Sequence, residues 1–188
     1  MPDPALRRVP RAEMPPRLQQ EHDAALALRD DATLQEVGAN APELIAWYRD
    51  EFYAKLFYGG RVDTRSKELL RYRLSMAHGC AFCNKGNRVA ARKAGVTAEQ
   101  LQHILDESHP CFSERDRALL TLADQVVMTN MHGHLSRELH ARLRPHFDDA
   151  QIFELGMVAG ILTGMAKFLF VYDLVEKEAH CPVVPLED

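Results

Sequence analysis

Polar and apolar positions along this 188-residue chain recur with helical period almost throughout, and no segment alternates every second residue as a half-buried strand would. Asn40 is a good N-cap, with Pro42 in the first turn and Glu43 three residues on. Leu44, Trp47, Tyr48 and Phe52 then form an apolar face beside Glu51 and Lys55, until Gly59 and Gly60 stop the helix. Asp63 caps the next helix, which runs through Leu69, Leu70, Tyr72 and Leu74 to about Ala77. Gly79 breaks that pattern, and Cys80 begins a helix that closes at Gly95. Thr97 to Gln100 reads as a capping box opening a helix over Leu101–Glu107. Ser113 caps a helix containing Leu119, Leu120, Leu122 and Val126. Ser136 starts a short one before Pro145, and Asp148 starts a long one predicted to end near Ala179.

Upstream of these elements the chain changes character. Pro2, Pro4, Pro10, Pro15 and Pro16 crowd the first residues into an irregular arm. A short helix over about Leu18–Leu28 follows, and Asp30 or Asp31 opens a turn ending near Gly38. The expectation is an all-α protein with about six to eight helices and a long C-terminal one. Residues 1–17 form the arm and 18–188 a single helical domain.

Composition narrows the partners. Apolar residues make up 46% and charged residues 27%, with a net charge of -4, as on a soluble globular protein with no nucleic-acid partner. The most apolar stretch, Leu155–Ala166, lies between Glu154 and Lys167 and is shorter than the roughly 20 residues that cross a bilayer. The N-terminus lacks the apolar segment of a secretory signal. The expectation is therefore a cytoplasmic protein that makes no membrane contact. Gly156, Gly160 and Gly164 fall at four-residue steps, a small-residue stripe that lets a helix pack closely in the core or at a subunit contact.

The chemistry concentrates between Lys67 and Arg88. Cys80 and Cys83 lie three residues apart, and so on one face, at the start of a helix. Free N–H groups and the positive dipole end favour thiolate there, and a free thiol titrates near ~8.5, so a modest depression gives a nucleophile at neutral pH. One sulfur can attack an oxidised substrate and the other resolve it as a disulfide. Two other readings stand beside this one. A zinc site needs four ligands, and only tertiary folding would bring His78, His103, His109 or Cys111 to the pair. The cysteines could also be inert core residues. Cys111 and Cys181 look peripheral. His132 and His134 flank a turn glycine, Gly133, and Trp47 and Phe52 read as core residues.

From about Pro42 to Leu105 the chain resembles the carboxymuconolactone decarboxylase superfamily, in its branch similar to the alkylhydroperoxidase AhpD. A Glu-bearing helix, the Gly79-Cys80-Ala81-Phe82-Cys83 junction and the helix closing at Ala94-Gly95-Val96-Thr97 carry the resemblance. It implies an AhpD-like helical bundle in which Cys83 attacks peroxide, Cys80 resolves it, and Glu68 belongs to a proton relay. In one straight helix Glu68 would stand roughly 18 Å from Cys80, so a bend or another subunit is needed to bring them together. Otherwise Glu68 is a surface carboxylate paired with Arg65 or Arg71. The family's relay histidine, four residues after the second cysteine, is Asn87 here, and an amide does not shuttle protons at neutral pH. His78 is the candidate substitute, or else an exposed helix-end residue.

The resemblance further implies a peroxidase or disulfide oxidoreductase acting on a small hydroperoxide or disulfide. It implies no bound organic cofactor, a lipoyl-bearing or other dithiol reductant, and a homo-oligomer, trimeric or hexameric; with no second ligand pair beside Cys80 and Cys83 in the sequence, no metal is expected. A non-redox, decarboxylase-like enzyme is the second reading, with Arg71, Arg73 and Arg88 holding a small carboxylic acid. A non-catalytic helical binding protein is the third.

Overall fold

The computed structural model describes residues 1–183, and among them contains nine α-helices and no strand. Helices α1 (Pro16–Arg29), α2 (Thr33–Gly38) and α3 (Pro42–Trp47) form the N-terminal side, and α3 continues without a break into a π-helix, Tyr48–Phe57. Then come α4 (Thr64–His78), α5 (Ala81–Lys93), α6 (Ala98–Gln102), α7 (Glu114–Val126), α8 (Arg137–Leu143) and α9 (Asp149–Val171). The count exceeds six to eight because the segment at 33–38, expected as a turn, closes as a helix.

Helix α4 is the axis and packs against α5, α7 and α9. Its Leu69, Leu70 and Leu74 meet Leu119 and Leu120 of α7, Leu155 and Val158 of α9, and Phe52 and Phe57 of the π-helix in one core cluster. Several polar groups are buried with them. Lys67 Nζ sits 2.8 Å from Glu154 Oε1 of α9, whose carboxylate also accepts the Arg61 and Val62 N–H groups. Arg73 holds Asp124 through two bonds and donates to the Ile104 carbonyl at 2.6 Å. Helix α6 stops at Gln102 instead of reaching Glu107, and the Asp106 N–H closes a turn on the His103 carbonyl at 2.8 Å.

Side-chain caps at Asp63, Thr97, Ser113, Ser136 and Asp148 start their helices as the sequence indicates. Asn40 does not: its amide donates to the Arg7 and Val37 carbonyls, and Ala41 occupies the N-cap position. Helix α9 ends at Val171, well before Ala179. Asp173 adopts φ 51°, and the Leu174 N–H returns to the Leu169 carbonyl at 2.9 Å, closing a Schellman-type end without a glycine. The N-terminal arm is pinned to its own chain, with Val9 N–H on the Glu36 carbonyl and Asp3 N–H on Asp173.

The glycines of α9 are not packed within the chain. A Cβ at Gly156, Gly160 or Gly164 would meet nothing within 4 Å. By length and composition α9 could cross a membrane, which the shorter run Leu155–Ala166 did not suggest. Here one side of it packs on the core and carries the buried Glu154, as in the core helix of a globular fold.

Candidate functional site

The site forms where α4 hands over to α5. Gly79 takes φ 66°, the left-handed conformation that a glycine adopts without strain, and the Cys80 N–H reaches back to the Ser75 carbonyl at 3.1 Å. Cys80 is therefore the N-cap of α5, and its Sγ accepts the Cys83 N–H at 3.1 Å. The two sulfurs are joined as a disulfide, 2.03 Å apart. Cys80 is fully buried among Val37, Phe82, Leu169, Phe170 and Val175, whereas Cys83 is half-buried.

The chain after α9 closes the outer side of this junction. The Glu176 carbonyl accepts the Phe82 N–H at 3.3 Å, and the Glu178 N–H donates to the Gly79 carbonyl at 2.8 Å. Cys181 packs its backbone against Gly79, so it is buried beside the pair and not peripheral. Cys111 and Cys181 are free thiols.

On the opposite side both cysteines line a cavity of about 480 Å³. Its polar lining includes Arg29, Arg71, His78, Asn87, Tyr53 and Tyr58, and its apolar walls include Leu34, Ile45, Phe82, Leu162, Met165 and Leu169. Asn87 stands one helical turn beyond Cys83 and is buried. His78 is buried as well, not exposed at a helix end: its Nε2 accepts the Met128 N–H at 3.2 Å. Burial pushes its pKa down to about 4, so the imidazole is neutral at pH 7.

Glu68 is buried too. Its Oε2 accepts Arg71 Nε at 3.0 Å and Nη2 at 2.5 Å, and its Oε1 accepts the Tyr58 hydroxyl at 3.2 Å. The pairing with Arg71 read from the sequence is correct, but it lies in the interior. Burial raises the carboxyl pKa against the pull of Arg71 and Tyr58. Among the described residues Glu68 forms no hydrogen bond with either cysteine, and Tyr58 and Arg71 connect it to the cavity. Arg73 turns to Asp124 and Arg88 is exposed, so of the three arginines considered for a carboxylate only Arg71 lines the cavity. Phe52 is core, and Trp47 is exposed away from the cavity.

Two features escaped the sequence reading. One is Arg29, from a helix outside the cysteine motif. The other is the tyrosine set Tyr48, Tyr53 and Tyr58, all of which line the cavity. In an α-helix residues five apart are turned by about 140°. The π-helical register, seen in the Tyr58 N–H bond to the Tyr53 carbonyl at 2.8 Å, brings them to one side. Their rings follow one another, Tyr48 to Tyr53 at 5.1 Å and Tyr53 to Tyr58 at 6.1 Å. The signal available in sequence was the five-residue tyrosine spacing itself.

Fold and site together define an all-helical protein with a dithiol pair set between a closed back and a cavity. Residues 43–125, just under half of the chain, match the carboxymuconolactone decarboxylase family, and through that segment the chain is similar to it. The fold is AhpD-like. It superposes on the AhpD core of a peroxidase-related protein from Ralstonia eutropha with TM-score 0.72 at 14% identity, covering 95% of this chain and 94% of that one. The debrominase Bmp8, solved with 2,3,4-tribromopyrrole, also gives 0.72, at 16% identity, covering 94% and 93%. The Bacillus subtilis protein YdfG, itself uncharacterized, is 30% identical over 99 residues, 52% of this chain. That match spans 66% of YdfG, just under two thirds of its length.

Proposed function

We propose that this protein is a thiol-dependent oxidoreductase that reduces organic hydroperoxides or exchanges disulfides through Cys83 and Cys80. The observation that carries the reading is the asymmetry of the pair, with Cys83 half-buried at a cavity and Cys80 fully buried behind it. In the reduced protein the Cys83 thiolate attacks the outer peroxide oxygen, the O–O bond breaks, and a sulfenic acid on Cys83 and an alkoxide result. The alkoxide takes a proton and leaves as the alcohol. The Cys80 thiolate then attacks Cys83 Sγ, forming the disulfide and releasing water after protonation of the departing oxygen. An external dithiol, such as a lipoyl-bearing protein, restores both thiols and is itself oxidised to a disulfide.

Proton delivery follows a route without histidine. Tyr58 lines the cavity and its hydroxyl donates to Glu68, which holds it in place; Tyr58 can turn to protonate the alkoxide and regain the proton from water entering the cavity. Asn87 orients the substrate or a water beside Cys83. We also propose a homo-oligomer, a trimer or hexamer, assembled through the exposed apolar face of α9 around Phe153, Gly156, Met157 and Gly160.

The test is cumene hydroperoxide consumption with dihydrolipoamide as donor. Wild type should turn over, and Cys83→Ser should fall to the uncatalysed background. Cys80→Ser should accumulate a sulfenic acid on Cys83, read as a 16 Da adduct by mass spectrometry, about one oxygen atom. Equal activity in wild type and Cys83→Ser would refute the proposal. Turnover of a small carboxylic acid that survives loss of both cysteines would favour the decarboxylase-like reading.

A further inference from the structure

This inference rests on the cavity being the substrate site and concerns what kind of substrate it selects. Three arginines line the cavity. Arg49 is paired with Glu21 and Asp50, and Arg71 with Glu68. Glu21, the acidic group that lines the cavity, is thereby neutralised. Arg29 differs: among the described residues it forms no ion pair, and its Nε is buried without a hydrogen-bond partner.

The side chain is nevertheless firmly placed. Arg29 is the last residue of α1, where the negative end of the helix dipole favours a cation. Its guanidinium lies over the Phe82 ring, 4.7 Å from the centroid. It also fills the space that a side chain at Gly86 would take, since a Cβ there would run into the guanidinium. Gly86 sits inside α5, where glycine costs roughly 1 kcal/mol relative to alanine, so the sequence accepts a helix penalty at the point where Arg29 meets that helix. Lys85 Nζ, donating to the Arg29 carbonyl at 3.2 Å, fastens the end of α1 to α5.

Arg29 is half-buried as a whole, but its buried Nε has an unmet donor, which is costly. A guanidinium that lines a cavity can hold a carboxylate through charge-assisted N–H bonds. Around it stand Leu34, Ile45, Leu162, Met165 and Leu169, which offer an apolar chain nothing polar to bond. We propose that Arg29 is the anion-binding residue of this cavity and selects amphipathic carboxylates, that is, carboxylic acids whose apolar chain carries the oxidised group to Cys83. The carboxylate is bound and not transformed, and the redox step is the one already described.

The experiment is equilibrium binding by calorimetry at pH 7 on the oxidised full chain, which needs no turnover. The probes are octanoate and its neutral counterpart 1-octanol. Wild type should bind octanoate at least tenfold more tightly than octanol. Arg29→Gln should weaken octanoate by roughly ten- to a hundredfold, the range of a hydrogen-bonded charged contact, and leave octanol unchanged. Arg29→Lys should retain part of the preference. Gly86→Ala, which favours the helix and so preserves folding, should lower octanoate affinity by displacing the guanidinium. Absence of octanoate binding, equal binding of the two probes by wild type, or undiminished octanoate binding by Arg29→Gln would overturn the proposal. Failure to consume cumene hydroperoxide with the octanoate preference intact would remove the redox reading and leave the anion site standing.

Discussion

Helices α4 and α9 invert what their compositions suggest. Helix α4 carries Arg65, Lys67, Glu68, Arg71 and Arg73, yet it is the axis of the molecule, with Lys67 at 0% and Glu68 at 1% exposure. Helix α9 is the most apolar element, yet Phe153 is 72% and Val171 59% exposed. The difference lies in partners. Every charge buried on α4 is met: Lys67 by Glu154, Glu68 by Arg71, Arg73 by Asp124. Polar groups enter a core when their hydrogen bonds are completed there, and apolar groups remain at a surface when the chain has nothing of its own to cover them. Hydropathy by itself therefore misplaces the centre of this protein. The glycine stripe of α9, read as close packing, faces open space within the chain.

The comparison breaks most visibly where the two helices are joined. Glu154→Leu strips the partner from a fully buried Lys67 and orphans the Arg61 and Val62 N–H groups. Loss of one member of such a pair typically costs about 3–5 kcal/mol, and urea or thermal unfolding should show it. The double variant Lys67→Met with Glu154→Leu should recover a large part of that loss. If it does not, α4 draws more from its charges than their mutual compensation.

A smaller effect comes from the end of α4. His78 has an ordinary value near 6.5 when unfolded and about 4 when folded, so the unfolded chain binds the extra proton. Stability is then full above 6.5 and declines as pH falls toward 4, by up to about 3 kcal/mol in all. His78→Gln should flatten that part of the profile in urea titrations, and a profile identical to wild type would mean that other groups govern it. The smallest effect on stability is expected on the open face of α9. Met157→Glu should change monomer unfolding by no more than about 0.5 kcal/mol while dissociating the proposed oligomer in light scattering. A variant that stays assembled would place the contact elsewhere.

Much of this was legible in sequence because it is written locally. Five side-chain caps and the break at Gly79 depend on residues within a few positions of one another, and so does the disulfide across Cys80 and Cys83. What was misread depends on distant partners or on unusual backbone. Asp173 takes a left-handed position where a glycine is the usual signal, so the end of α9 went unmarked. Asn40 has the chemistry of a cap, but the Arg7 and Val37 carbonyls claim its amide. Glu68 and His78 could not be known to be buried until α7, α9 and the π-helix closed over α4. The tyrosines five apart look scattered on an α-helix and line up only in the wider register. Arg29 lies some fifty residues before Cys83 and outside its motif, and only the packing of α1 on α5 brings it to the cavity.

The segment that follows α9 has a chemical consequence as well as a structural one. A disulfide in solution offers two equivalent electrophiles, and an attacking thiolate can open it at either. Here residues 176–181 are bonded to Gly79 and Phe82 across the back of the pair, and Cys80 is sealed within. For the proposed thiol exchange this would impose regioselectivity: the incoming sulfur would join Cys83, and Cys80 would depart toward the N–H that Cys83 already directs at it. The segment after α9 would thus set which of two chemically alike atoms reacts, without itself touching the reagent.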